Sequence, residues 1–394
     1  MVQYSDRIGR LGAEGAFEVL ARAKELEAQG KSIIHLEIGE PDFDTPANIS
    51  DAGIKAIRAG ETHYSPSGGM PASRKVVAEY VSKTRRCKVT TENVVIMPGA
   101  KPLIFCGLAA TINEGDEVIV PNPGYPTYES VVSFLGAKPV PMVLREEKGF
   151  RFLVDELKAL ITPKTRMIVI NSPQNPTGGV LTMEDLETIF SLAEKHNLWI
   201  MTDEIYSRLV YDGKFESILS IPGALDRTIM IDGMSKTYSM TGWRLGYGAM
   251  PVTLAQHMAK LAVNNFSCTA TFAQTAMNEA LTGPQEAVDK MVAQFHKRRD
   301  VIVKGLNEIE GVSCLMPKGA FYVFPNITGT GLTSAQVAKL LMDEAGVAAL
   351  AGTAFGKHGE GYVRFSYANS IENIEEALRR MKKVIENVAA KANA

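Results

Sequence analysis

The sequence predicts an α/β fold in which helices cover both faces of a mainly parallel sheet. Short apolar runs rich in β-branched residues recur through the middle of the chain, and helical patterns separate most of them. Because these runs are apolar throughout, both faces of the sheet should be buried. With 394 residues, of which 45% are hydrophobic, the chain can build the large core that such a fold requires.

The central elements alternate between strand and helix along the chain. Strands are predicted at residues 94–97, 117–120, 166–171, 198–203 and 227–232. Covering helices are predicted at residues 100–112, 183–196 and 251–263. This alternation is typical of βα units, in which helical crossovers connect parallel strands.

The two ends of the chain have a different pattern, which predicts a second and smaller α+β domain. An amphipathic helix is predicted at residues 13–29. After residue 284 the sequence predicts a long helix to residue 306, short strands at 321–324 and 362–366, and a closing helix from residue 372. We therefore predict a large domain of residues 48–283 and a small domain formed by residues 1–47 and 284–394.

Charge and cysteine content narrow the classes of partner. The 42 basic and 44 acidic residues leave a net charge of -2, which provides no field to attract nucleic acid or an acidic membrane surface. The four cysteines are scattered without a C-x-x-C pair, so we expect free thiols and no metal site. No apolar signal core or bilayer-spanning stretch occurs in the sequence. We expect a cytoplasmic protein that acts on a small molecule.

One predicted strand ends in a segment that could bind a phosphate. Ligands of an open α/β sheet bind beyond the carboxyl ends of its strands. Strand 94–97 runs into Pro98, Gly99, Ala100 and Lys101, and a helix follows. The free N–H groups and the positive end of that helix would suit a phosphate, although such a glycine alone usually marks only a turn.

Three other strand ends supply an amide, an acid, a phenol and an amine. These residues are Asn175 after strand 166–171, Asp203 at the end of strand 198–203 with Tyr206 three positions on, and Ser235 and Lys236 after strand 227–232. Taken singly, each has an ordinary explanation as a turn, a helix cap or a surface charge. Gathered at one edge of a sheet, they match the requirements of pyridoxal phosphate.

The chemistry of this cofactor explains the residue types. An amine such as Lys236 can attack the cofactor aldehyde and carry it as a Schiff base. A carboxylate at Asp203 would keep the pyridine nitrogen protonated, so that the ring draws electrons from the substrate α-carbon. Asn175 and Tyr206 can donate hydrogen bonds to the ring oxygen. The predicted phosphate donors are Ser235, Arg244 and the backbone of Gly99 and Ala100.

These residues resemble the class I and II aminotransferases of the aspartate aminotransferase superfamily, the fold type I pyridoxal phosphate enzymes. The matching segments are residues 38–43, 64–69, 175–178, 203–206, 235–236, 242–244 and 362–366. The resemblance implies a large domain with a mainly parallel sheet sandwiched by helices, and a small α+β domain built from both termini. It also implies transfer of an amino group between an L-amino acid and a 2-oxo acid by a ping-pong mechanism.

The resemblance implies roles for residues around the cofactor. Lys236 would hold the cofactor and move the proton between the substrate α-carbon and the cofactor. Tyr125 matches the aromatic residue that stacks on the ring, and Lys101 lies in the phosphate loop. Tyr64 matches a tyrosine that reaches the phosphate of the neighbouring subunit. Active sites would then be shared in a homodimer.

The resemblance also implies how the substrate is held. Arg364 matches the arginine that binds the substrate α-carboxylate, with help from the backbone of Gly39 and the amide of Asn175. A planar guanidinium suits this role better than an ammonium group, because it donates two parallel hydrogen bonds.

The substrate side chain is left open by the sequence. Some bacterial aspartate aminotransferases of this branch bind the distal carboxylate with a lysine that Lys101 matches and with a Ser/Thr pair in the first helix. Glu14 and Ala16 occupy the paired positions here, beside Phe17. A glutamate would repel a substrate carboxylate unless it points away or pairs with Lys101. Phe17 and Tyr125 would instead suit an aromatic or neutral amino acid, with 2-oxoglutarate as the acceptor.

The sequence leaves one alternative to transamination open and disfavours two others. A pyridoxal phosphate lyase would use the same lysine, aspartate and phosphate site. A sensor domain of a transcription regulator is disfavoured, because the segment before Gly39 is too short for a helix-turn-helix domain. A nicotinamide enzyme is disfavoured because no G-x-G-x-x-G follows an early strand.

Overall fold

A computed structural model of the chain describes residues 3–12 and 15–392, with side chains up to residue 387. The strands are β1 (Ile34–His35), β2 (Val94–Met97), β3 (Glu117–Asn122), β4 (Lys138–Val143), β5 (Thr165–Asn171), β6 (Trp199–Asp203), β7 (Thr228–Gly233), β8 (Gly246–Ala249), β9 (Tyr322–Val323), β10 (Val347–Ala348), β11 (Leu350–Ala351) and β12 (Val363–Ser366). The helices are α1 (Gly15–Ala28), α2 (Ala47–Arg58), α3 (Pro71–Thr84), α4 (Ala100–Thr111), α5 (Pro126–Phe134), α6 (Val154–Leu160), α7 (Met183–Lys195), α8 (Met234–Thr237), α9 (Val252–Asn265), α10 (Thr271–Thr282), α11 (Glu286–Asn307), α12 (Ser334–Leu340) and α13 (Ile371–Ala392).

The central sheet has seven strands in the order β2-β8-β7-β6-β5-β3-β4. Strand β8 is antiparallel to both of its neighbours, whereas the other pairs in the sheet are parallel. Since β2 and β7 both oppose β8, they point in the same direction as β6, β5, β3 and β4. The loops that follow β2, β5, β6 and β7 therefore lie at one edge of the sheet, and the predicted α/β fold is confirmed.

The five predicted central strands all form, but β4 and β8 were not predicted. Strand β4 contains Pro139 and Pro141, which weaken a strand signal. The two prolines are tolerated because β4 is at the edge of the sheet, where the missing backbone N–H donors cost little. Strand β8 contains Gly246 and Gly248, and a Cβ at Gly246 would overlap the backbone of Gly99. Close backbone packing therefore determines this strand, and its sequence does not reveal it.

Helices cover both faces of the sheet. Side chains of β7 alternate, so that Ile229 and Ile231 pack beneath α4 and α9, while Met230 packs beneath α3 and α10. Helix α7 covers β5 and β6 on the same face as α3. This two-sided burial explains why the central strands are apolar along their whole length.

Segments from both ends of the chain build smaller sheets beside the central one. Strands β9, β11 and β12 form an antiparallel three-stranded sheet, and β1 pairs in parallel with β10. Helices α11 and α13 pack together over the same core as β9 and β12. This arrangement accords with a small α+β domain built from both termini, whereas its boundaries near residues 48 and 284 stay a prediction. Within the described residues, no helix is both long and apolar enough to cross a bilayer.

Candidate active site

A cavity of about 370 Å³ opens at the carboxyl edge of the central sheet. Its lining comes from segment 38–40, from the loops after β2, β5, β6 and β7, from helices α1, α4 and α5, and from β9 and β12. The predicted site residues in this lining are Gly39, Ala100, Lys101, Tyr125, Asn175, Asp203, Tyr206, Ser235, Lys236, Arg244 and Arg364. The structure thus brings together polar groups that are far apart in the sequence, in the kind of concave site where ligands bind.

Two predicted site residues lie outside this lining. Gly99 is directly behind it, where a Cβ would overlap the Arg244 guanidinium. Tyr64 is 90% exposed and does not reach the cavity of its own chain. Glu14, which was considered for side-chain specificity, falls outside the described residues.

An anion site is built where β2 meets α4. Gly99 has a φ of 103° and forms the N-cap of α4, so the first N–H groups of this helix face the cavity edge. Arg244 has a φ of 54°, which is unfavourable for a residue with a side chain. Its Nη1 donates to the carbonyl of Thr241 at 2.8 Å. A guanidinium held against a helix N-terminus forms a site of positive potential.

Asp203 is a buried carboxylate with an unusual electrostatic environment. It is 4% exposed, its Oδ2 accepts from the Tyr128 hydroxyl at 2.7 Å, and its Oδ1 accepts from the backbone N–H of Ile205 at 3.2 Å. Burial raises the pKa of Asp203 to about 6, although these hydrogen bonds and Lys236 act in the opposite direction. A cation placed next to this carboxylate would relieve the cost of its burial.

The substrate end of the cavity is organised around Arg364. Its Nη1 donates to Asn175 Oδ1 at 3.1 Å, and its Nη2 donates to the carbonyl of Glu37. The guanidinium lies over the ring of Tyr322, with 4.5 Å between Cζ and the ring centroid. Arg364 is buried, so its side chain is held in place before any ligand arrives.

Lys236 is in the short helix α8 that directly follows β7. Its Nζ donates to the carbonyl of Gly39 and is 6.0 Å from the ring centroid of Phe321. The amine therefore lies between the loop that carries Gly39 and the edge of the central sheet.

Three polar lining residues were missed by sequence reasoning. Tyr128 bonds to Asp203, and Tyr322 bonds to the hydroxyl of Tyr206 at 2.8 Å. Asn171 donates from Nδ2 to the carbonyl of Asp203 and accepts from the N–H of Asn175. Asn171 could have been found, because it is the last residue of a predicted strand.

The side chains at the mouth of the cavity are mixed in character. Ala16 and Phe17 of α1 line it, and Phe17 is 62% exposed. Lys101 is nearby, with its Nζ 5.8 Å from the ring centroid of Tyr125. The mouth therefore offers both a cation and apolar surface to an incoming side chain.

A family model described as aminotransferase class I and II matches residues 31–381. The chain belongs to this family. Its members use pyridoxal phosphate, so the predicted family, fold and cofactor are confirmed, and the chain is a pyridoxal phosphate-dependent aminotransferase that acts on amino and keto acids.

The similarity to curated relatives and to solved structures extends over nearly the whole chain. The aspartate aminotransferase of Pyrococcus abyssi is 43% identical over 92% of this chain and 94% of its own length. The aromatic-amino-acid aminotransferase 2 of Thermococcus litoralis is 44% identical over 91% of this chain and 93% of its own. The solved aspartate aminotransferase from Thermus thermophilus with maleate has a TM-score of 0.93 and 36% identity, and the match covers 98% of this chain and 100% of that one.

The residues present fit the cofactor of these aminotransferases. The buried carboxylate of Asp203 suits a protonated ring nitrogen, and the helix N-terminus beside Arg244 suits the phosphate. The amine of Lys236 lines the same cavity and can reach an aldehyde there.

Proposed function

We propose that the aminotransferase exchanges the amino group of an L-amino acid, foremost aspartate, with 2-oxoglutarate by a ping-pong mechanism. The observation that carries this choice of substrate is the pair of cations in the cavity, Arg364 at its buried end and Lys101 at its mouth. A dicarboxylic substrate would satisfy both. The name of the Pyrococcus abyssi relative supports the same class of substrate.

We propose the following chemical roles for the residues around the cavity. Bound pyridoxal phosphate supplies an electron sink for the bond to the α-hydrogen. Lys236 would hold the cofactor and would move the proton of the substrate α-carbon, first as a general base and then as a general acid. Asp203 holds the proton on the ring nitrogen, and Tyr206 and Asn175 donate to the ring oxygen. Ser235, Arg244 and the N-terminus of α4 bind the phosphate, and Tyr125 packs on the ring.

Arg364 would orient the substrate α-carboxylate, and its replacement by lysine tests that role. Lysine keeps the charge but loses the two parallel hydrogen bonds. We expect Arg364→Lys to raise the KM for both the amino acid and the 2-oxo acid on the order of 100-fold, because charge-assisted bidentate contacts contribute about 2–3 kcal/mol. Steady-state kinetics with each substrate varied would measure this effect. The exposed Arg379→Lys is the matched control, and an unchanged KM in Arg364→Lys would remove Arg364 from the substrate site.

A second candidate is an aromatic amino acid aminotransferase. Phe17, Ala16 and Tyr125 provide apolar surface near the mouth of the cavity. The two curated relatives with aspartate and aromatic names have nearly equal identity to this chain, 43% and 44%, so sequence identity does not discriminate between the two substrate classes.

A lyase on the same fold is a further alternative, and formation of pyridoxamine phosphate in the first half-reaction would exclude it.

Lys101→Ser separates the two substrate classes. If Lys101 binds a distal carboxylate, kcat/KM for aspartate should fall on the order of 10- to 100-fold, while that for phenylalanine should change less than about 3-fold. Single-turnover rates with aspartate, alanine, glutamate, phenylalanine and tyrosine, followed by the cofactor absorbance, would rank the substrates. Unchanged discrimination between aspartate and alanine would refute the assignment to Lys101.

We also propose a homodimer with shared active sites. Tyr64 supports this, because it is 90% exposed and does not line the cavity of its own chain, so it is accessible to a neighbouring subunit. Sedimentation velocity that gave a monomer would contradict it.

The free thiols of Cys87, Cys106, Cys268 and Cys314 support a reducing compartment, and we place the enzyme in the cytoplasm with a role in amino acid biosynthesis. Fractionation of the source cells tests the location.

A further inference from the structure

A buried ion-pair network lies beneath the strand ends that carry Asp203 and Lys236. Arg85 follows α3 and is only 2% exposed. Its Nε donates to Glu204 Oε2 at 3.0 Å, and its Nη2 donates to Asp232 Oδ2 at 2.5 Å. We call Arg85, Glu204 and Asp232 the Arg85 network. None of its members lines the cavity.

The Arg85 network is on the opposite face of the sheet from Asp203. Asp203 pairs with Ile231 in the register of β6 and β7, and neighbouring residues of a strand point to opposite faces. Glu204 and Asp232, which follow these paired residues, therefore point together to the α3 side. Because Glu204 directly follows Asp203 and Asp232 precedes Lys236 by four positions, the network is built into the segments that hold both residues.

Both carboxylates of the network are surrounded by donors. Asp232 accepts from the N–H of Gly233 at 2.7 Å, from the Tyr247 hydroxyl at 3.1 Å and from the Ser207 hydroxyl at 3.2 Å. Glu204 accepts from the hydroxyls of Ser217 and Thr202. Burial raises the pKa of both carboxylates, whereas Arg85 and donors such as the Ser207, Tyr247 and Ser217 hydroxyls act in the opposite direction and favour the ionised form.

The charges of the Arg85 network do not balance. One guanidinium faces two carboxylates, which leaves an excess negative charge in a buried place. A second carboxylate adds desolvation cost, which Arg85 and the surrounding donors offset only in part.

Asp203 is the point at which this charge can act. Tyr128 from α5, Lys236 from α8, the N–H of Ile205 and the Asp232 carboxylate from β7 all contribute to its environment. The first three favour the ionised form of Asp203, whereas Asp232 opposes it. A cation beside Asp203 removes this opposition and is attracted by both carboxylates.

We infer that the excess negative charge of the Arg85 network, to which Asp232 and Glu204 both contribute, stabilises a positively charged cofactor ring beside Asp203, so that both carboxylates are positioning residues. This inference rests on the proposed role of Asp203. In this arrangement Asp203 contacts the ring nitrogen, and the Arg85 network adds negative potential from the far side of the sheet. The network contributes through charge, in addition to holding β6 and β7 in register.

Two charge-neutralising variants of the holoenzyme test the inference. Asp232→Asn and Glu204→Gln each remove one negative charge while keeping the size of the side chain. We expect both to lower the pKa of the bound cofactor's absorbance transition by about 0.3 to 1 unit, since a charge at this distance acts through a screened interior. Both should also weaken cofactor binding to the apoenzyme on the order of 3- to 10-fold. The exposed Asp226→Asn, two residues before β7, should change neither quantity.

The outcomes distinguish charge from structure. Altered thermal stability with an unchanged absorbance pKa in both variants would mean that the network is only structural, and would overturn the inference. A shift in Asp232→Asn alone would also overturn it, because the excess charge would not be the cause. If one variant does not fold, the other still decides, since a folded variant without the shift refutes the inference.

Asp203→Asn separates this inference from the function on which it depends. If Asp203→Asn leaves the absorbance pKa unchanged, the proposed role of Asp203 fails together with the inference. If Asp203→Asn shifts it while Asp232→Asn and Glu204→Gln do not, only the role of the Arg85 network fails.

Discussion

Replacing Lys236 by alanine should abolish transamination, with a loss of kcat on the order of 10⁴-fold or more. The amine has two tasks in the proposed mechanism, because it holds the cofactor and moves the proton at the α-carbon. The Nζ of Lys236 is in the cavity, next to the carbonyl of Gly39. Single-turnover kinetics with aspartate would measure the loss directly.

The Lys236→Ala result can be separated from misfolding. Added methylamine should restore part of the proton-transfer rate, because a small amine can enter the space left by the side chain. Lys290→Ala, at an exposed position of α11, is the matched control and should keep full activity. A Lys236→Ala enzyme that kept more than about a tenth of the wild-type rate would contradict the role of Lys236 as general base.

The fold was predictable to the extent that local patterns report burial. Apolar runs marked β2, β3, β5, β6 and β7, because each of them is covered on both faces. Strands β4 and β8 carry prolines and glycines, and their existence depends on their position in the sheet. Local sequence has no information about which strand is at an edge.

The site was predictable where residues directly follow strands. Asn175, Asp203, Ser235 and Lys236 needed only the rule that parallel strands end at one edge. Tyr128 and Tyr322 contact Asp203 and Tyr206 across 75 and 116 residues of sequence, and such contacts depend on how α5 and β9 pack. The Arg85 network was missed for the same reason, since Arg85 and Asp232 are 147 residues apart.

Asp203→Asn should have opposite effects on activity and on the stability of the apoenzyme. Asparagine cannot hold a proton on the ring nitrogen by charge, so kcat should fall on the order of 10³-fold and cofactor affinity should fall as well. The apoenzyme, in contrast, loses a buried carboxylate whose ionisation the fold opposes. Asp203 therefore stabilises the transition state in the holoenzyme but destabilises the folded apoenzyme.

The pH dependence of this stability follows from the pKa of Asp203. Burial raises that pKa from 3.8 to about 6, so the folded apoenzyme binds the proton more tightly than the unfolded chain does. The wild-type apoenzyme should therefore lose stability at this residue as the pH rises from about 4 to about 6, by about 3 kcal/mol in all. The loss is complete about one pH unit above the folded-state pKa of about 6. Asp203→Asn has no group that titrates there and should not show it.

Urea unfolding of both apoenzymes at pH 5 and pH 7.5 measures the difference. The stability of Asp203→Asn relative to wild type should increase by about 1–2 kcal/mol between these two pH values. Loss of the Tyr128 hydrogen bond offsets part of the gain at either pH, but it does not alter the change between them, because the Tyr128 hydroxyl stays protonated throughout. A relative stability that stayed constant, or decreased, from pH 5 to pH 7.5 would show that burial does not raise the pKa of Asp203 in the folded apoenzyme.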